Sequence, residues 1–163
     1  MPLILPALTS ELISAYDKGP AGNPSPQIVG IDTAKAYMNY VSSGMNAGGQ
    51  AFTAMPGASA LGQELGDIYS GKSPAGALTA QKMAKAFDTC LGTFLSVFQN
   101  TIVTAPGLPG LIAGLADVLG APNMSTMLYC NKLAKELNTY TLSAIVIGVI
   151  PDTPGIPFTG PIS

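Results

Sequence analysis

The chain has 163 residues, of which 10% are charged, and its seven lysines and nine acids leave a net charge of −2 with no Arg, His or Trp. So few scattered cations exclude nucleic-acid binding, which needs clustered Lys or Arg to neutralise phosphates. The absence of His and of any Cys-x-x-Cys pair excludes a Cys/His zinc site and a His-based nucleophilic triad.

An ordinary soluble domain carries about 25% charged residues. Here Gly (19) and Pro (14) are abundant instead, and the mean hydropathy is +0.37. Such a surface is expected to be covered by partners or to meet lipid. The length suits one domain or one compact array of small units.

In chain order, "MPLILPALTS" has no positively charged leader region and holds two prolines, so it is read as an apolar arm (residues 1–7) and not as a signal peptide. "ALTSELISAYDKG" then predicts a short helix of about three turns. "GPAGNPSP" reads as a turn, with glycine supplying positive φ and proline fixing it. Ser25 and Pro26 are suited to the N-cap and first turn of the next helix. That helix contains "TAKAYMNYV" (Thr33 to Val41), with Ala34, Tyr37, Tyr40 and Val41 on one face and Asp32, Lys35 and Asn39 on the other.

The same phrase returns as "MAKAFDTCL" and as "LAKELNTYT", and the chain's only Ala-Lys dipeptides, at 34, 84 and 134, fall at intervals of fifty residues. Tyr37, Phe87 and Leu137 share a column, as do Tyr40, Cys90 and Tyr140, and Ser43, Thr93 and Ser143. "MPG" at 55–57 matches "APG" at 105–107, and "ALGQELGDIYSG" matches "GLIAGLADVLGA". Ser73-Pro74 and Ser125-Thr126 mark the starts of the second and third long helices. After each long helix comes a β-prone segment, "QAFTAM", "NTIVTA" or "SAIVIGVI". The helical spacing of Phe87, Leu91, Phe94, Leu95 and Phe98 leaves the helix–strand boundary open there.

The fold class expected is therefore mainly α with short extended segments. Three tandem units of about 50 residues, each helix–turn–helix–strand, form a single domain with units near 8–57, 58–107 and 108–155. Open solenoids need polar end caps, and the end units here are no more polar than the middle one. A closed, pseudo-threefold arrangement is expected over a short open stack. The tail from 151 to 163, with prolines at 151, 154, 157 and 161 and apolar Ile156, Phe158 and Ile162, is expected to be extended and to lie in a neighbour's groove.

No catalytic signature is found. The acids are dispersed, and several recur at equivalent columns, so Asp67 and Asp117 read as solvated or loop-capping groups. "GMNAGGQ" lacks the Gly-x-x-x-x-Gly-Lys-Ser/Thr arrangement of a phosphate loop. Cys90 and Cys130 read as small buried residues. Lys35, Lys85 and Lys135 either solubilise an exposed helix face or ring a pseudo-threefold body against acidic partners. "LSAIVIGVIP" is too short to span a bilayer, and "LPGLIAGLADVLGAP" is broken by Asp117 and by Pro109 and Pro122. A membrane-active role is thus the weaker alternative.

Ser73-Pro74, Ala84, Phe87 and Thr104-Ala105-Pro106-Gly107, with their copies in the other units, resemble the tandem units of small apolar structural proteins from tailed-bacteriophage virions. The resemblance implies a non-enzymatic virion subunit without cofactor or metal, in the tail, baseplate or neck, with capsid decoration as the alternative. It implies a particle assembled in the host cytoplasm. Its partners would be other virion proteins, in a homo- or hetero-oligomeric ring.

Overall fold

The computed structural model describes residues 3–72, 76–98, 102–151 and 154–163. The chain is mainly helical, with 61% of the described residues in helix. The helices are α1 (Leu5–Tyr16), α2 (Pro26–Ser42), α3 (Ala58–Asp67), α4 (Gly76–Leu91), α5 (Leu108–Gly120) and α6 (Thr126–Leu142). Among the described residues, five short strands follow the long helices: β1 (Phe52–Ala54), β2 (Leu95–Ser96), β3 (Ile102–Thr104), β4 (Ile145–Ile150) and β5 (Ile156–Pro161).

Each short helix packs between two long ones. α3 lies against α2 and α4, α5 against α4 and α6, and α1 against α6 and α2. The long helices bury the stripe that their spacing sets: Ala34, Ala84 and Ala134 are buried, and so are Tyr37, Phe87 and Leu137. Tyr37 meets Phe87 edge-on with ring centroids 5.0 Å apart, and its hydroxyl lies 2.9 Å from Thr141 Oγ1. The Tyr40 hydroxyl donates to Asn138 Oδ1 and the Tyr140 hydroxyl to Asp88 Oδ1, both at 2.6 Å. These bonds satisfy phenols that would otherwise be costly to bury. α2 approaches α3 most closely through Gly30, where a Cβ would come within 2.4 Å of Gly62 O and Gly66 N.

Helix ends follow local chemistry. The hydroxyls of Ser25 and Ser125 accept from the N–H of Ile28 (3.4 Å) and Leu128 (3.3 Å), the N-capping geometry. Ser73 and Pro74 lie outside the described residues. At the other ends, the Ser43, Thr93 and Ser143 hydroxyls donate to the carbonyls of Tyr40, Cys90 and Tyr140 at 2.7, 2.7 and 2.6 Å. α4 therefore stops at Leu91, and the helical spacing that runs on to Phe98 belongs to a turn and to β2.

β1 pairs antiparallel with β2, and a second antiparallel sheet has the order β3-β4-β5. The two ends of the chain differ from the arms expected. Leu5, Pro6 and Ala7 belong to α1, whose Leu8 and Leu12 are fully buried. The tail is extended but lies on its own chain: β5 pairs with β4 from Ile150↔Ile156 to Ile145↔Pro161. Ile162 is buried, and Ser163 exchanges two backbone bonds with Met45, at 2.7 and 3.0 Å. Proline fits here because β5 is an edge strand, whose outward N–H groups have no ladder partner to lose.

Candidate assembly interface

The strand-bearing segments share one chemical property. Residues 36–63, 89–116, 137–151 and 154–163 contain no Asp, Glu or Lys, so all five strands are uncharged. Apart from Asp152, which lies between β4 and β5 in the sequence, the charges sit on the helices and on the turns that join short helix to long.

The strand end is tied together internally by a buried polar network. Gln50 Oε1 accepts from Asn46 Nδ2 (2.9 Å) and from Ser96 Oγ (3.1 Å), and Gln50 Nε2 donates to the Val149 carbonyl at 3.4 Å. Asn46 Oδ1 in turn accepts from the N–H groups of Gly48 and Gln50. "GMNAGGQ" is thus a turn whose shape its own Asn side chain sets, with Gly49 at φ 74°. Phe52 and Phe94 pack edge-on beneath it at 5.0 Å.

The outer face of the β3-β4-β5 sheet is apolar. Alternation along β4 turns Val146 inward, fully buried, and Ile147 and Val149 outward, 45% and 39% exposed. The register places Ile102 and Thr159 on either side of Ile147, and Pro157 beside Val149. Ile102, at 66% exposed, is the most exposed large apolar side chain among the described residues. Val97 and Phe98, just after β2, are about half exposed as well.

The residues singled out in the sequence lie elsewhere. Lys35, Lys85 and Lys135 are exposed, one on each long helix, which suits a solubilising role. Lys35 lines the groove between α2 and α3 with Ile31, Ala34 and Gly62. Cys90 and Cys130 are free and buried; burial pushes their thiols up to about 12 and about 11. Asp117 is exposed on α5.

A tyrosine cluster that the repeat columns only half revealed joins the helices near the start of α6. Tyr16 donates to the Tyr69 hydroxyl at 2.5 Å and lies 3.4 Å from the Tyr129 hydroxyl. Tyr69 reaches it because the chain after α3 makes a wide turn over Ile68–Lys72, with Gly71 at φ 75°. Burial, above all, raises all three phenols, so they are neutral hydrogen-bonding groups at physiological pH. A depression of about 350 Å³ flanks the cluster, lined by Tyr16, Val118, Leu119, Met124 and Tyr129 among others. The described residues hold no group of three or more Cys, Asp or Glu arranged to bind a metal. No described helix is long and apolar enough to cross a membrane.

Comparison of the chain with protein-family models, with curated proteins and with solved structures gives no match.

Proposed function

We propose that the chain is a non-enzymatic structural subunit of a bacteriophage particle, in the tail, baseplate or neck. Within it, three units of about fifty residues close around a shared centre.

The observation that carries the closed arrangement is a joint that recurs where one unit meets the next. A residue three or four positions after each long helix, in one column of the repeat, pairs with a segment that follows the preceding long helix. Leu95 lies opposite Ala54, and Ile145 opposite Thr104. Met45 occupies the same column and bonds both ways to Ser163. A second joint supports the same reading: Gly57 N–H donates to Thr93 Oγ1 at 2.9 Å, and Gly107 N–H donates to Ser143 Oγ at 3.0 Å. A third joins the inner faces. Tyr40 reaches Asn138 and Tyr140 reaches Asp88, each linking the same two columns. For the remaining pair of units those columns hold Cys90 and Met38, which need no hydrogen bond.

The subunit role is supported by the resemblance in the repeated units and by strands that carry no charged residue, since surfaces buried in permanent assemblies are depleted of charge. The test is mass spectrometry of purified virions of the phage that encodes the chain, beside a map of the particle. The chain is expected among the virion proteins, with density of pseudo-threefold outline in the tail. Density on the capsid surface would replace tail by decoration. Absence from the particle would overturn the proposal.

A further inference from the structure

We propose that residues 156–163 act as a clasp: they close the body at one seam, against residues 44–48, and release that seam as a unit while the helices stay folded. The inference builds on the closed arrangement proposed above and is independent of the virion role.

The seam is set by how the chain runs. At the first two joints the polypeptide itself crosses from unit to unit. β1 leads through Gly57 into α3, and β3 leads through Gly107 into α5, so the joined segments stay tethered even when their bonds break. Each of those joints also has its glycine N–H bonded to a hydroxyl, that of Thr93 or of Ser143. The third joint is made by contact alone, because β5 follows α6 in the chain whereas α1 opens it. Leu3, ahead of α1, and Ile162 both come up against Gly44, where a Cβ would lie 2.8 Å from Leu3 Cδ2 and 3.1 Å from Ile162 Cγ2.

The clasp fits its seat by strand alternation. Phe158, Gly160 and Ile162 meet Gly48, Ala47 and Gly44 in turn: a Cβ on Gly48 would come within 2.7 Å of the Phe158 ring, and one on Gly160 within 2.5 Å of Ala47 Cβ. Pro157, Thr159 and Pro161 between them are exposed. Besides this row, the two backbone bonds between Met45 and Ser163 and the 3.4 Å bond from Gln50 Nε2 to the Val149 carbonyl hold the strand side of the seam. Ile162 is the only buried side chain of the clasp, and two of its eight residues are prolines with no N–H to donate. A segment that buries so little opens at lower cost than the whole fold. The helical layer does not depend on it, since α1 packs against both α2 and α6. Release would bare the Met45 backbone and its glycine-rich seat as an open strand edge, which the clasp keeps shut.

The test is amide hydrogen exchange of the full chain, followed by NMR in urea kept below the unfolding transition. The Met45 N–H, which donates to the Ser163 carbonyl at 2.7 Å, should exchange at least about 100-fold faster, relative to its intrinsic rate, than Tyr37 and Leu137 in the long helices. Its rate should hardly respond to urea, because a local opening exposes little surface. The Gly57 and Gly107 amides should exchange with the helices. Gly160→Ala should speed exchange at Met45 about tenfold more and leave Tyr37 unchanged, whereas Thr159→Ala should stay within about twofold of the wild type at both. Gly48→Ala strikes the same contact row from the other side and serves if Gly160→Ala fails to fold. A Met45 amide that exchanges only with the helices would overturn the clasp and leave the closed arrangement standing, and so would a Gly160→Ala variant that speeds Tyr37 as much as Met45. Gly57 and Gly107 exchanging as fast as Met45 would overturn both.

Discussion

The helical and strand ends of this molecule solve the problem of low charge in different ways. On the helices, Lys35, Lys85 and Lys135 stand on the outer faces while alanine, tyrosine and leucine fill the inside. The strand end has a comparable buried layer, Val146, Phe52 and Phe94, but its outer layer is isoleucine, valine, threonine and proline. The scarcity of charge is therefore concentrated in one surface, and that is what makes the strand end readable as an interface. The titratable buried groups divide the same way. All six tyrosines and both cysteines belong to the helical segments or to the turn after α3, and none belongs to a strand.

That division predicts the largest effect, a collapse of the helical end in alkali. Burial raises Tyr16, Tyr37, Tyr40, Tyr69, Tyr129 and Tyr140 above the ordinary value of 10.0. It pushes Cys90 from 9.0 to about 12 and Cys130 from 9.0 to about 11. Below about pH 8 both folded and unfolded chains keep these protons, and the full stability is present. Above it the unfolded chain releases protons that the folded chain retains, so stability falls steadily as pH rises towards the folded values. The expected outcome is cooperative unfolding between about pH 10 and 12, with tyrosinate absorbance rising in the same step as helical circular dichroism is lost. Tyrosinate appearing gradually over intact helix would refute the burial argument.

The helical end was also the more legible in the sequence, for physical reasons. Ala34, Tyr37, Tyr40 and Val41 form a stripe at helical spacing that only one face of a helix can bury, and Ser25 is an N-cap by its chemistry alone. The strands were harder. β2 is two residues long and continues the helical spacing of α4; what ends that helix is Thr93, whose hydroxyl takes the Cys90 carbonyl and the Gly57 N–H from another part of the chain. No local window contains that information. The tail departs from the sequence-based expectation for a similar reason. Its prolines argue correctly for extended backbone, but the partner strand, β4, lies within the chain and not on a neighbour. Of the interface, the lack of charge could be read from the sequence; that Ile102, Ile147 and Val149 share an outward face needed the register. The tyrosine cluster is half visible: "ALTSELISAYDKG" lines up with "ALGQELGDIYSG" at a step of 53, which sets Tyr16 against Tyr69, whereas Tyr129 joins from a long helix.

The next effect in size probes how closely the helical end is packed. Gly30→Ala puts a methyl against the backbone of α3, at 2.4 Å from Gly62 O and Gly66 N, where no side-chain rotation can relieve it. The two helices must separate, and a loss of about 3 kcal/mol is expected in urea unfolding. Gly110→Ala in α5 is the contrast, because nothing lies within 4 Å of its Cβ position. It should be neutral or stabilise by up to about 1 kcal/mol through helix propensity. Equal effects at the two sites would mean that the α2–α3 crossing is looser than described.

A smaller loss is expected at the joint between the two ends. Ser143→Ala deletes a hydroxyl that accepts from Gly107 N–H and donates to the Tyr140 carbonyl. It should cost about 1–2 kcal/mol, since a partly buried N–H loses its partner. Ser43→Ala removes a hydroxyl whose described bond is to the Tyr40 carbonyl alone, and its cost should be the lesser of the two. If the two variants melt together, the Gly107 bond carries no weight in joining the start of α5 to the end of α6.

The smallest effect belongs to the charged surface, and it completes the contrast with the strand end. Lys18 Nζ lies 2.8 Å from Asp32 Oδ2 and joins the end of α1 to α2, but the two side chains are 33% and 30% exposed. Exposed pairs are weakened by solvent and salt and by the entropy of holding a long side chain still. Lys18→Met should therefore lower stability by no more than about 0.5 kcal/mol, and the difference should vanish in about 1 M salt. A destabilisation as large as that of Gly30→Ala would mean that the helical end is held by its few ion pairs and not by its packing.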